Sequence, residues 1–364
     1  MLTVKNVLWI CNHSTLLQCE CPLLRSFGWG VFIPKVNTST QRSSATEYSY
    51  DKSLQILQED LLLLNRFDFY HGQYTPEIQQ VINKYFQVIF CINHPPLIAK
   101  LLEFFTGKVI IRAFGYEGDM NYEKSTVSFA KRKIPWRINR NLKYNNAITR
   151  TYYKYRKKLI LGVAYKEIID NETPFFHSRS IYLPLGIPSS IWKNSNTWNG
   201  NTPKIMFVCP SIDTPYYGNI FMEFMRNFGD LPHKIFGFQK TDCFNRNIIG
   251  FLERKPFDQY MRDFAVMFYH SQEKRHLHYH PLEAIVMGMP IVFMSGGILE
   301  TVSGANKPGM ATSIYMAREM LIKALNKDSD LVSEIKREQC HILESFTDSY
   351  VERHWQNALD SITK

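Results

Sequence analysis

The stretch Tyr269–Val302, YHSQEKRHLHYHPLEAIVMGMPIVFMSGGILETV, decides the fold. Immediately upstream, FAVMFYHS (264–271) is apolar and aromatic enough for a buried strand. The loop QEKRHLHYH then carries five basic side chains before Pro281. PLEAIVMG reads as a helix, with Pro281 suited to its first turn and Gly288 to its close. PIVFM is a short β-rich run of the kind found in a parallel sheet covered on both faces. SGG turns the chain, and Glu300 starts the next element.

Strand, loop, helix and strand in this order place the polar groups on one edge. In doubly wound sheets ligands bind at the carboxyl ends of the strands, beside helix N-termini. The loop from His276 to His280, then Pro281, Leu282 and Glu283, and the turn Ser295-Gly296-Gly297 all fall on that edge. Helix N-termini and glycine turns offer backbone N–H groups to phosphates, and the Glu283 carboxylate on the first turn can accept ribose hydroxyls. These residues outline a nucleotide or nucleotide-sugar pocket. A rival reading uses the alternation His276-Leu277-His278-Tyr279-His280: three imidazoles on one face, with Glu283 as fourth ligand, could converge on a metal. That spacing loosely resembles the HxH…E of cupin metal sites, but cupins are β-sandwiches and the flanks here are helix and parallel strand. The expectation is that one or two histidines bind donor phosphates or sugar, with no metal.

PLEAIVMGMPIVFMSGGILETV resembles the donor-binding segment of GT-B glycosyltransferases, most of all the large retaining nucleotide-sugar branch, whose pattern runs approximately E-G-F-G-L-P-x-x-E-A-x-x-x-G-x-P-V-V-x-x-x-x-G-G-x-x-E. Glu283 falls on the second glutamate, which in that family holds the ribose. Gly288 and Pro290 fall on the G-x-P, and Gly296-Gly297 with Glu300 on the closing G-G-x-x-E. The first glutamate, a donor-sugar contact in the family, falls on Arg275, and the glycines around it on His276 and His278. The resemblance implies an α/β fold of two doubly wound, Rossmann-like domains with an interdomain cleft and a C-terminal helix crossing back. It also implies retaining transfer from a nucleotide sugar, with no cofactor and no metal. The family holds pyrophosphate with an Arg and a Lys early in the second domain. VCPSIDTPYYGN (208–219) has neither, so replacement charge is expected from Lys240, Arg254, Lys255, Lys274 or Arg275. Arg275 is favoured, because a guanidinium on the donor loop binds phosphate bidentately.

With 364 residues, 45% hydrophobic and 21% charged, the chain can build two α/β cores. No apolar run is long enough to span a bilayer. Seven scattered cysteines, with Cys19 and Cys21 the one close pair, suggest reduced thiols and a cytoplasmic setting. The net charge of +10 is uneven: residues 124–158 contain no acid and interleave Lys and Arg with Trp136 and several tyrosines. This is either a solvated face or a docking surface for an anionic membrane leaflet carrying a lipid-linked acceptor, which would make the protein peripheral on the cytoplasmic membrane face. Nucleic acid is the less favoured partner.

The remaining elements alternate. VKNVLWIC, an amphipathic helix over 14–27 and VFIPKV open a first doubly wound unit. His13 and Ser14, at the carboxyl end of that first strand, are expected to face the acceptor, Ser14 otherwise serving as a helix N-cap. After the strand KVIIRAF, the loop Tyr116-Glu117-Gly118-Asp119 borders the expected cleft. Tyr116 and Glu117 are candidate catalytic groups, Glu117 as a base if transfer inverts, and Asp119 is a candidate acceptor contact. KNSNTWNGNTPK (193–204) reads as the linker. The organisation expected is therefore an acceptor domain over 1–195, a donor domain over 203–345, and a helix over 346–364 returning to the first domain. Two other readings stay open: glycosylation of DNA, and a silent nucleotide-sugar or glycan-binding protein. A third is a sugar epimerase on the same scaffold.

Overall fold

A computed structural model describes residues 5–11, 13–34, 49–116, 118, 120–131, 147–240 and 245–363. The chain forms two compact units, one of residues 1–188 with 348–364, the other of residues 189–347.

The first unit is a seven-stranded sheet in the order β3-β2-β1-β4-β5-β6-β7. Its strands are β1 (Asn6–Trp9), β2 (Gly30–Ile33), β3 (Ser49–Tyr50), β4 (Val88–Ile92), β5 (Lys108–Ala113), β6 (Leu159–Val163) and β7 (Ser180–Tyr182). All pairings are parallel except β3 against β2. The strands of the centre are apolar along both faces because helices cover both, which is why they read as continuous hydrophobic runs. The helices between them are α1 (Ser14–Ser26), α2 (Gln58–Arg66), α3 (Pro76–Tyr85), α4 (Pro95–Phe104), α5 (Tyr122–Lys131), α6 (Ala147–Lys154), α7 (Lys166–Asn171) and α8 (Pro174–His177). Prolines open α3, α4 and α8, where a missing N–H costs nothing.

The second unit holds six parallel strands in the order β10-β9-β8-β11-β12-β13. Short α9 (Ser189–Trp192) precedes β8 (Thr202–Val208), followed by α10 (Pro215–Phe228), β9 (His233–Phe236), β10 (Ile248–Gly250), α11 (Arg254–Asp263) and β11 (Phe264–Tyr269). Then come α12 (Tyr279–Met287), β12 (Ile291–Met294), α13 (Ile298–Ser303), β13 (Met310–Ala311), α14 (Ile314–Leu325) and α15 (Ser329–Gln339). Gly288 ends α12 in the left-handed region at φ 83°, as its place in the sequence requires. The last helix, α16 (Asp348–Thr363), packs on the first unit: Trp355 stacks on Phe90 at 5.9 Å and donates from Nε1 to the Pro184 carbonyl at 2.9 Å.

Two expectations are corrected. Residues 193–204 are not a free linker: Asn196 N–H donates to Val286 O (3.0 Å), Trp198 N–H to Met287 O (2.9 Å) and Trp198 Nε1 to Phe264 O (2.7 Å). The polar stretch thereby caps the exposed carbonyls at the end of α12, and the boundary moves back to Pro188/Ser189. The N-cap of α1 is His13, whose ring accepts from Leu16 N–H, not Ser14. Cys19 and Cys21 are free thiols: Cys21 is fully buried and Cys19 donates to Gly186 O at 3.3 Å.

Arg112 is the one large cation enclosed in the first unit's described core. Its guanidinium donates to Glu20 through Nε (3.0 and 3.1 Å) and Nη2 (2.6 Å), and to the carbonyls of Gly162 (2.7 Å) and Leu183 (3.0 Å). Burial pushes the Glu20 carboxyl up while Arg112 pulls it back. Phe114 and Trp355 lie over the guanidinium at 5.2 and 5.1 Å. One buried pair thus ties α1, β5, β6 and α16 together.

Candidate functional site

In the second sheet β9 and β11 leave β8 in opposite directions, so the carboxyl ends of β8 and β11 form a switch point, where ligands of such sheets settle. The loop 270–278 and the N-terminus of α12 stand there. His278 is the N-cap of α12 but makes no side-chain cap, and the first turn contains buried Pro281 and Leu282. An N-terminus left without a side-chain cap presents backbone N–H groups and positive dipole potential to an anion.

Tyrosines hold the loop against α10. Tyr216 Oη donates to Glu273 Oε1 at 3.1 Å, and Tyr217 Oη lies 3.5 Å from His278 Nε2. Tyr269 Oη accepts from His278 N–H (3.4 Å) and sits 3.2 Å from His278 Nδ1. Ring centroids run 4.7 Å from His276 to His278 and 5.3 Å from His278 to His280, with His280 5.4 Å from Tyr269. The array is a wall of edge-to-face and tilted rings. Among the described residues no three His, Cys, Asp or Glu side chains gather as a metal-holding group, and Glu283 is turned to another partner.

Burial lowers the pKa of His270 to about 4 and of His280 to about 3; it also takes His278 well below the ordinary value, with neighbouring imidazoles adding to the effect. The residues are half-buried, and the dense surroundings of their rings strip the charged form of hydration. In the unfolded chain these histidines take up protons near pH 6.5, whereas the folded chain holds them neutral until much lower pH. Stability is therefore full above about pH 6.5 and falls as the pH drops below it. The urea unfolding free energy should decrease by roughly 2–4 kcal/mol between pH 7.5 and 5.5, from three imidazoles at no more than about 1.4 kcal/mol per pH unit each. A flat profile over that window would contradict the placement of these rings.

Glu283 lies in α12 and is 7% exposed. Its Oε1 accepts from Arg254 Nη1 at 2.8 Å, and Arg254 also pairs with Asp258 at 2.6 Å. Burial raises the Glu283 pKa and the Arg254 charge lowers it. Lys255, next on α11, is exposed. Arg275 sits on the loop at intermediate exposure. Ser295, Gly296 and Gly297 form the turn after β12, but Gly296 N–H donates to Glu300 Oε2 at 2.6 Å. A Cβ on Gly297 would meet Ser271 O at 2.8 Å and Gln272 Cα at 2.9 Å. Gly297, Gly296 and Glu300 therefore have a local role, closing the turn against the 270–278 loop.

In the first unit, His13 caps α1 in the connection that follows β1, and its ring lies 6.1 Å from Phe114 after β5. Tyr116 Oη accepts from Asn93 Nδ2 (2.5 Å) and donates to Ser125 Oγ (3.1 Å). Glu117 and Asp119 lie outside the described residues, as do the Ser14 side chain and residues 132–146 of the basic stretch. His94, missed by the sequence reading, matches His13. It N-caps α4 by accepting from Leu97 N–H at 3.3 Å, as His13 accepts from Leu16 N–H at 3.4 Å. β1 and β4 are neighbours that diverge, so both imidazoles stand at this sheet's switch point. The signal was in the chain: Asn12-His13 and Asn93-His94 each follow an apolar, β-rich run and precede a helix-forming one. Arg254 was named only as a spare charge, and its pairing with Glu283 had no local signature.

Among solved structures the chain is similar to a glycosyltransferase from Rickettsia africae ESF-5, with 12% identity and a TM-score of 0.61 over 100% of this chain and 99% of that one. It is similar to Anabaena HepE in complex with UDP and glucose, with 11% identity and a TM-score of 0.58 over 98% and 100%. Sucrose-phosphate synthase from Thermosynechococcus elongatus matches at 10% identity and a TM-score of 0.54 over 99% of both chains. The fold is GT-B. No family model and no curated protein sequence matches the chain. The GT-B likeness spans both units, which extends the resemblance first read in residues 264–302 to nearly the whole chain. Among the described residues no helix is long and apolar enough to cross a membrane.

Proposed function

We propose that this GT-B chain is a glycosyltransferase that moves a sugar from a nucleotide donor, held by the second unit, to a glycan or lipid-linked acceptor, held by the first. The observation that carries the reading is the N-terminus of α12, without a side-chain cap at the switch point of the second sheet, with Glu283 in the same helix. Donor pyrophosphate would lie on those amides, and the ribose hydroxyls on Glu283, whose charged form is disfavoured by burial and favoured by Arg254. Arg275 and Lys255 would add charge as the nucleotide leaves, stabilising the developing anion where it forms. The presence of UDP and glucose on the similar Anabaena protein makes UDP-hexoses the first donors to try.

On the acceptor side, His13 and His94 each spend Nδ1 on a backbone N–H, so in the neutral form Nε2 carries the hydrogen. They are suited to donate to acceptor oxygens, which is positioning rather than proton removal. The proposal includes retention of anomeric configuration, independence of metal ions, and work on a surface polysaccharide or lipid-linked glycan at the cytoplasmic face, approached through residues 124–158.

The test is turnover. Purified protein with UDP-glucose and a set of saccharide and lipid-phosphate saccharide acceptors, with EDTA present, should release nucleotide only when an acceptor is added. The product's anomeric proton should keep the donor configuration. Nucleotide release that ignores the acceptor would point to an epimerase or hydrolase, and tight nucleotide binding without any release to a silent binding protein. Either result overturns the transferase reading.

A further inference from the structure

The second unit contains a cavity of about 380 Å³ that borders the start of the 270–278 loop but includes neither Glu283, Arg254, Arg275 nor the N-terminus of α12. It lies between α10 and α14, over the carboxyl ends of β11 and β12. Crossovers in a parallel sheet share one hand. α10 carries the chain from β8 toward β9, whereas α12 carries it the other way from β11 to β12, so the two helices cover opposite faces. The cavity is therefore on the face away from Glu283 and Arg254.

Its floor is aromatic and buried: Phe224, Phe228 and Phe268 are 2%, 1% and 3% exposed. Seven other lining side chains can hydrogen-bond: Tyr216, Glu223, His270, Ser271, Gln272, Thr312 and Ser313, the Tyr216 hydroxyl being already engaged with Glu273. Four of these (Glu223, Gln272, Thr312 and Ser313) are exposed at the rim, while Ser271 is buried. His270 is the unusual member: both ring nitrogens are buried and neither has a hydrogen-bond partner. A neutral imidazole carries one donor and one acceptor, and leaving either unmet costs about 1–3 kcal/mol. A buried polar group of this kind calls for a missing partner.

The lining chemistry restricts what that partner is. Glu223 is the sole charged side chain among the lining residues, and no lysine or arginine accompanies it, so a phosphate or carboxylate is disfavoured. An alkyl chain would strip water from the polar side chains without replacing their hydrogen bonds. A flat ring fits both halves, its faces against the phenylalanines and its polar edge toward His270 and Glu223. We propose that this cavity is a second ligand site, independent of the donor site, for a nucleobase-sized aromatic heterocycle or aromatic amine that bears N–H donors and no phosphate. A modest turn of the His270 ring brings a nitrogen onto the ligand, and Glu223 accepts from its exocyclic amine.

The free base 2-aminopurine tests this, because stacking on aromatic side chains quenches its fluorescence. Titrated into it, the full chain should produce saturable quenching with a submillimolar Kd, displaced by adenine and unaffected by UDP, inorganic phosphate or myristate. Glu223→Gln, a surface change, should weaken binding at least fivefold. His270→Phe, which removes both unpartnered nitrogens, should weaken it at least tenfold while unfolding at the same or higher temperature. Absence of saturable quenching by the wild type up to millimolar concentration sinks the proposal. Displacement by UDP would instead make the cavity part of the nucleotide site, and displacement by myristate an alkyl pocket; both overturn it. Binding of 2-aminopurine can fail while nucleotide-sugar turnover succeeds, or the reverse, so the two readings stand or fall separately.

Discussion

Glu283→Ala should weaken nucleotide binding at least a hundredfold and lower kcat/KM by at least as much, with the fold intact. The carboxylate sits within the α12 segment that would carry the ribose, and Arg254 donates to it at 2.8 Å. Hydrogen bonds from two ribose hydroxyls to a charged acceptor are worth about 1.5–3 kcal/mol each, which is the origin of the hundredfold. Removing the carboxylate leaves Arg254 half-exposed and still paired with Asp258, so no uncompensated buried charge results. That separates a binding defect from a folding defect: thermal unfolding should move by only a few degrees while titration calorimetry loses the nucleotide. Arg254→Met makes the complementary case. Without the guanidinium, burial raises the Glu283 pKa unopposed, and nucleotide affinity should fall away at a higher pH than in the wild type. Retained affinity in Glu283→Ala would remove this carboxylate from the site.

The largest effect on stability belongs to the first unit. Glu20→Ala should cost about 3–5 kcal/mol, because it leaves the Arg112 guanidinium buried without its counter-charge. The pair itself is not a large net gain, since taking both ions out of water offsets most of their attraction. The double variant Glu20→Leu with Arg112→Met should therefore recover most of the loss, and urea unfolding of the three proteins measures it. A loss below about 1 kcal/mol in Glu20→Ala would mean water reaches the pair. Because Trp355 of α16 lies over the guanidinium, the single variant should also loosen the last helix, visible as faster amide exchange over residues 348–363.

Most of the fold was legible because its cause is local. A strand buried on both faces must be apolar throughout, so FAVMFY and PIVFM announced β11 and β12 without tertiary information. Gly288 announced the end of α12 because a left-handed residue there favours glycine. The polar run at 193–204 misled for the opposite reason: Asn and Thr look like linker, yet here their backbone satisfies the carbonyls at the end of α12, a partner nearly a hundred residues away.

The site was legible only in outline. The sequence indicated which loops share an edge, since topology alone fixes that. It could not divide Gly296 and Glu300 between ligand binding and turn closure, because one arrangement of residues serves both, and the structure gives them a turn to close. Nor could it show that Glu283 meets Arg254 across 29 residues, or that His270 is left without a partner. Such facts belong to packing. The paired Asn-His dipeptides are the instructive miss, for there the repeat was written in the chain and its meaning, two histidine caps on neighbouring strands, became visible only with the sheet order.

The central claim is that the second unit binds a nucleotide sugar at the N-terminus of α12. Its most direct test is the thermal unfolding of the full chain with UDP-, GDP-, dTDP- and ADP-sugars and their free nucleotides, with and without EDTA. One nucleotide family should raise the midpoint by several degrees, as ligand at about a hundred times its Kd adds about 2.7 kcal/mol. The rise should be insensitive to EDTA and absent in Glu283→Ala. A midpoint that no nucleotide moves, or one that moves with a divalent metal alone, would contradict the account.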